Sequence, residues 1–359
     1  VILYLYNNNY KYMIQSSDIL EYDKPGFDWE KYIQIQTEEI QDRIDKFSWK
    51  LYLEIGWKFL YDPHAARVLP GFYPDSKKRI FKSLAKNADV IFCVNAKDIK
   101  KIRMLGTQGE PYIDYCLVMI NQIIKKLWIT PYVSINRIKK KNIEQVQDFQ
   151  KILTEKSIKS YLRYEIDGYP EDVDTVLSES WYWIDEYIPC ENDLVLVVWA
   201  ASSSGKMSTC LGQIYMEHNK KIESGYAKYE TFPVWNLHLE HPVNLAYEAA
   251  TADIWDYNVL DIYHAEAYNE ESINYNRDIE AFEIVQQLAE NFLPKNNFTR
   301  QYKSPTDMWI SNAWECIIDE DIVIQASIDE INRRLNWYKD NKDEKAEKIC
   351  KKILKKIHS

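Results

Sequence analysis

The sequence predicts an α/β fold, a mostly parallel sheet flanked by helices, followed by a helical C-terminal part. Three observations carry that prediction. Short apolar, β-branched runs such as residues 194–198 alternate with amphipathic helical stretches, the rhythm of βαβ units. The run at 194–198 leads through a small-residue loop, 200–205, into a helix opening at Lys206, the order of a phosphate-binding strand, loop and helix. A content of 46% hydrophobic residues over 359 positions can fill a sizeable core, and no apolar run reaches the ~18 residues of a membrane span.

Taken in order, residues 1–26 are expected to be leader or disordered N-terminus, with a turn at Pro25-Gly26. Residues 28–47 carry Tyr32, Ile33, Ile40 and Ile44 at helical spacing, and 50–55 read as a strand. A helix over 76–86 follows, then strands at 90–95, 131–136 and 160–166 separated by helices at 111–127 and 143–156. Asp167-Gly168-Tyr169-Pro170 is a turn. After the strand at 194–198 and the helix at 206–221 comes a neighbouring strand within 225–232. Polar and aromatic strings dominate from 238 to 277, before a helix at 278–292, a strand at 322–327, and a lysine-rich helix from 329 onward. The α/β domain is thus expected over 27–330, with 331–359 beginning a helical linker to a further C-terminal domain.

Charge narrows the partners. A net charge of −10 and a pI near 5.3 argue against a general nucleic-acid surface, which needs clustered Lys and Arg. The cysteines at 93, 116, 190, 210, 316 and 350 are widely spaced, with no Cys-x-x-Cys pair, and the chain is too long to need staples. They read as reduced thiols, which places the expected compartment in the cytoplasm and the expected partner among small-molecule substrates, with no nucleic acid or membrane and a homo-oligomer left open.

Nine glycines beside twelve tryptophans is an unusual balance, since glycine typically makes up about 7% of a chain. Several indoles sit where a turn would favour glycine, as at Trp57 beside Gly56 and Trp199 at the phosphate loop.

The strings HAARVLPGF, SSSGKMSTCLGQIY, GYAKYETFPVWNL, HPVNLAYEAATAD, NYNRDIEAFE and YKSPTDM together resemble the bacterial domain-of-unknown-function family 1846, also called uncharacterised protein family 0371. The resemblance runs from about Phe27 to Trp337 and implies a longer protein with a further C-terminal domain. It also implies glycine at Trp57, Trp128, Trp181, Trp183, Trp199, Trp255, Trp309 and Trp314, and by extension at Trp49. Trp235 and Trp337 fit as tryptophan, and Trp29 is left open. The expected cause is UGA, which some uncultured bacteria read as glycine, translated here as tryptophan; gene sequencing that found UGG at these codons would refute it.

With Trp199 read as glycine, the loop becomes Gly-x5-Gly205-Lys206-Met207-Ser208-Thr209, similar to loops of small-molecule P-loop enzymes. Ser202, Ser203, Ser204, Gly205, Lys206, Ser208 and Thr209 are the candidate cradle for ATP or another nucleoside triphosphate. Met207 stands where a Mg²⁺-facing hydroxyl is expected, so Ser208 or Thr209 must replace it, with Glu230 and Asp253 as further candidates for the metal. Lys206 and Arg277 are candidates for contacting phosphate, Asp253 for acid or metal chemistry, and His241 and His264 for moving a proton. A structural reading stands beside each: Ser203 or Ser204 as a helix cap, the others as hydrogen-bonded or solvated side chains. His238, Glu240 and His241 suggest a metal site, but Pro242 is expected to prevent the aligning helix. His64 and Arg67 could face an anionic ligand or simply pair at the surface.

The expected function is phosphoryl transfer or ligation on a small polar metabolite. A non-catalytic nucleotide- or phosphate-binding module is the alternative. Some family members carry the label of ATP-dependent peptidase, but this chain has no His-Glu-x-x-His and no Gly-x-Ser-x-Gly.

Overall fold

The computed structural model describes residue 20 and residues 22–47, 50–56, 59–105, 109–165, 184–199, 201 and 203–357. The first elements are α1 (Trp29–Phe47), β1 (Leu51–Ile55), α2 (Pro63–Val68), α3 (Ser76–Leu84), β2 (Ala88–Asn95) and α4 (Ala96–Lys101). A small antiparallel pair, β3 (Met104–Leu105) and β4 (Glu110–Pro111), leads to α5 (Tyr112–Leu127). There follow β5 (Tyr132–Ile138), α6 (Ile143–Glu155), β6 (Ser160–Tyr164), β7 (Leu194–Trp199), α7 (Lys206–Asn219) and β8 (Gly225–Tyr229). The rest comprises α8 (Pro242–Ala250), β9 (Asn258–Leu260), α9 (Ile262–Tyr268), β10 (Ile273–Tyr275), α10 (Asn276–Phe292), β11 (Trp309–Ile310), α11 (Glu320–Asp340) and α12 (Glu344–Ile357).

Seven of these strands form one sheet in the order β11-β8-β1-β7-β2-β5-β6, and every pairing in it is parallel. The central strand β7 is buried from Leu194 to Val198, as its run of Leu and Val requires of a parallel strand covered on both faces. The chain leaves β1 toward β2 on the far side of β7, and leaves β7 toward β8 on the far side of β1. Adjacent strands whose connections diverge open a crevice at their carboxyl ends.

The expected α/β class is therefore what the chain adopts. Two local expectations change. Residues 322–327, read as a strand, lie inside α11: Ile-Val-Ile is β-branched, but Asp319 caps the helix start and Val323, Ala326 and Ser327 bury one face against the core. Pro242 does not prevent a helix but starts one, because at the first helical position its missing N–H costs nothing; His241 caps α8 through Nδ1, which accepts from Val243 at 3.3 Å. Among the described residues no helix is long and apolar enough to cross a membrane, and all six cysteines are buried and free.

Candidate functional site

The strand ends converge on a cleft of about 420 Å³. Its floor comes from Glu54 of β1, Asn136 of β5, Arg163 of β6, Trp199 of β7 and Lys228 of β8; residues from α8 and α10 form the opposite wall.

One half of the cleft is formed by the start of α7 and the cations Lys206 and Arg163. Gly205 precedes α7 with φ +82°, a conformation that glycine adopts without strain, and no side chain caps the helix there. The serine-cap reading of Ser203 and Ser204 therefore falls away, and the amides of the first turn of α7 begin at the cleft wall. Two asparagines hold the loop by its carbonyls: Asn95 Nδ2 donates to Ser203 O at 3.1 Å and Asn136 Nδ2 to Ser204 O at 2.7 Å. Thr209 turns inward, donating to Gly205 O at 2.8 Å, whereas Ser208 lines the cleft. Lys206 also lines it, with Nζ 3.1 Å from Glu54 Oε1 and 5.0 Å from the centre of the Trp199 ring. Arg163 is 2% exposed. Its Nη2 lies 3.1 Å from Asp185, while Nε and Nη1 are buried with no hydrogen-bond partner among the described residues. At the rim, Glu165 is held by Lys97, Arg137 and Lys139; burial acts to raise its carboxyl, but these cations bring it down to about 2.

The other half is acidic and buried. Lys228 binds Asp278 at 2.7 Å and Glu230 at 3.4 Å, with its ammonium 4.4 Å from the Tyr275 ring centre. Tyr275 donates its hydroxyl to Glu230 Oε1, Trp309 its indole N–H to Asp278 at 2.9 Å, and Tyr226 its hydroxyl to Glu54 at 2.8 Å. Burial pushes the Glu230 and Asp278 carboxyls up; it acts the same way on Glu54, but Lys206 and Lys228 outweigh it and hold that carboxyl low. Arg277 grips Asp256 with two nitrogens at the outer edge.

The fold thus brings together Ser203, Ser204, Gly205, Lys206, Ser208, Glu230 and Arg277. It does not bring His241, His264 or Asp253 to this lining. His241 faces Glu320 at 3.3 Å, His264 is buried with Ser304 at 3.1 Å, and Asp253 accepts from Tyr338 at 3.3 Å. Ser202, Trp49, Trp57, Trp181, Trp183 and the turn at 167–170 lie outside the described residues. His64 and Arg67 are buried rather than at the surface, and both pair with a side chain of the protein, the carboxylate of Glu330, at 3.2 and 2.7 Å. Among the described residues no three His, Cys, Asp or Glu side chains converge as metal ligands.

Sequence reasoning missed Glu54, Asn136, Arg163, Lys228 and Asp278. Their common signal is a polar residue near the end of an apolar strand or the start of a helix, which in a parallel sheet is where ligands meet the chain.

The family description "Domain of unknown function DUF1846, N-terminal" matches residues 25–359. A UPF0371 protein of Streptococcus uberis is 42% identical over 340 residues, covering 93% of this chain and 66% of its own length. Those of Streptococcus sanguinis and Streptococcus pyogenes serotype M5 are each 41% identical, over 335 and 333 residues. The chain therefore spans just under two thirds of the relatives it matches.

Proposed function

The chain belongs to the DUF1846 (UPF0371) family, and since that kinship carries no chemistry, we propose from the cleft itself that it binds a phosphate-bearing ligand. The ligand we favour is ATP or another nucleoside triphosphate, used for phosphoryl transfer or ligation on a small polar metabolite. The observation that carries the reading is Arg163: a buried guanidinium with two unpartnered nitrogens, lining the same cleft as an uncapped helix N-terminus and Lys206. A buried cationic donor left unpaired is costly, and a phosphate oxygen would satisfy it. The first-turn amides and dipole of α7 favour the same charge, and the cleft volume suits a small-molecule ligand.

Mg²⁺ would enter with the phosphates, since it retains most of its waters and takes few protein ligands. Ser208 is the candidate hydroxyl at the helix start. Asp253 lies outside the cleft and has no part in this reading.

The test is calorimetric titration of ATP and of pyrophosphate into the protein and into Lys206→Ala and Arg163→Met. Each substitution is expected to weaken binding by about tenfold or more, the worth of a charge-assisted hydrogen bond. Unchanged affinity in both variants would overturn the proposal. Release of inorganic phosphate on incubation with ATP separates an enzyme from a binding module.

A further inference from the structure

Counted over the described residues, the acidic half of the cleft is one cation short. Among the described residues Glu54, Glu230 and Asp278, each at most 5% exposed, are in salt-bridge contact with two ammonium groups, Lys206 and Lys228. The other charges near them are already engaged: Lys77 with Asp62 at 3.0 Å, Arg163 with Asp185, and Arg277 with Asp256. Tyr275 and Lys228 both address Oε1 of Glu230. Among the described residues no hydrogen bond reaches Oε2, which stands beside Gly56 so closely that a Cβ there would lie 1.9 Å away. A buried excess of carboxylate is unfavourable until a cation completes it.

We propose that Glu230 Oε2 receives the ammonium group of an amine-bearing ligand, which fills the acidic half of the cleft while phosphate occupies the start of α7. The phosphate half rests on the function proposed above; the ammonium half does not. An ammonium ion fits better than a metal because it needs hydrogen-bond acceptors rather than a converging ligand shell, and no such shell exists among the described residues. The two halves reinforce each other. A phosphate that draws Lys206 from Glu54 leaves a second carboxylate without its partner, so anion and cation binding are positively coupled. The favoured ligands are a phosphorylated amine, or a phosphate donor together with an amine acceptor.

The test titrates the full chain with ω-aminoalkyl phosphates of graded length, with alkyl phosphates of the same lengths, with 1,3-diaminopropane, and with MgCl₂. At the length that spans the cleft, the amine is expected to tighten binding by about tenfold or more. In Glu230→Gln, whose carboxamide oxygen still accepts from Tyr275, that ratio is expected to fall toward one. A ratio near one at every length in the wild type, or one that survives Glu230→Gln, overturns the proposal. The wild-type ratio needs no variant, so it remains decisive even if Glu230→Gln does not fold. Alkyl phosphates that fail to bind while the diamine binds in a Glu230-dependent way would sink the phosphate reading and leave the ammonium site standing. Glu230-dependent binding of Mg²⁺ with none of the diamine would make this a metal site and overturn the proposal.

Discussion

Trp128 terminates α5 with φ +66°, and its N–H closes the last turn on Ile124 O at 3.0 Å. That left-handed position is the usual place for glycine, because a Cβ there crowds the following carbonyl. Trp255 stands at φ +59° in the same region. Two of the tryptophans expected to be glycine thus occupy backbone that favours glycine, whereas Trp199 and Trp309 lie in extended strands where any residue fits. Trp128 is 83% exposed, so removing its indole forfeits little burial. Trp128→Gly is therefore expected to stabilise the protein by about 1 kcal/mol, read as a rise in the urea midpoint. A fall would mean the indole contributes packing that its exposure does not suggest. At this same scale Gly205-Lys206 was legible from the sequence as a phosphate signal, but Arg163 was not. Its significance is that two of its nitrogens lack partners, and partners come from segments far apart in the chain.

Elements were largely legible, because periodicity and caps are local. The helices and strands expected from residue 28 to 232 fall where apolar spacing puts them, within a few residues at each end where they are described, but the short α2, α4, β3 and β4 were not expected, being too short to carry a period. The failure at 322–327 came from β-branched residues inside a helix whose cap and buried face decide the outcome. Pro242 came from treating proline as a breaker at a position where it starts a helix. One inter-element contact yields a prediction. Glu330 of α11 is buried and joins His64 and Arg67 of α2 to Arg333 and Arg334 of its own helix. Burial would raise its carboxyl, but these partners hold it well below the ordinary 4.5. Because the folded value is depressed, this stability is present above the unfolded value and is lost as pH falls below about 5. Glu330→Gln is expected to cost about 3–5 kcal/mol at pH 7, by leaving buried guanidinium groups uncompensated. Its urea midpoint should also change less than that of the wild type between pH 7 and pH 4; parallel profiles would show that Glu330 titrates normally.

At the scale of the whole molecule, the cleft exists because parallel strands from separate stretches of chain end side by side. β1 pairs with β7 and β8 in register, Leu51 opposite both Leu194 and Gly225, which sets Glu54 beside Lys228 and places Gly56 against Glu230. Gly56 permits that approach only because it lacks a Cβ. Gly56→Ala is expected to displace the Glu230 carboxylate, destabilise the protein by about 1–3 kcal/mol, and weaken any ligand that uses Glu230. Thermal melting and the titrations above check both effects, and a neutral Gly56→Ala would mean the two strand ends move apart freely.

The sequence by itself determined the α/β class, the order of most elements, the family and the strand-loop-helix around Lys206, since each is written in neighbouring residues. Only the tertiary structure decided which polar groups share a site. It gathered Glu54, Arg163, Lys228, Glu230 and Asp278 at one cleft and left His241, Asp253 and His264 elsewhere, tied to Glu320, Tyr338 and Ser304. The reason is physical: a side chain's chemistry is set by burial and by the charges packed around it, and both depend on register and crossover between segments that the chain order does not place together.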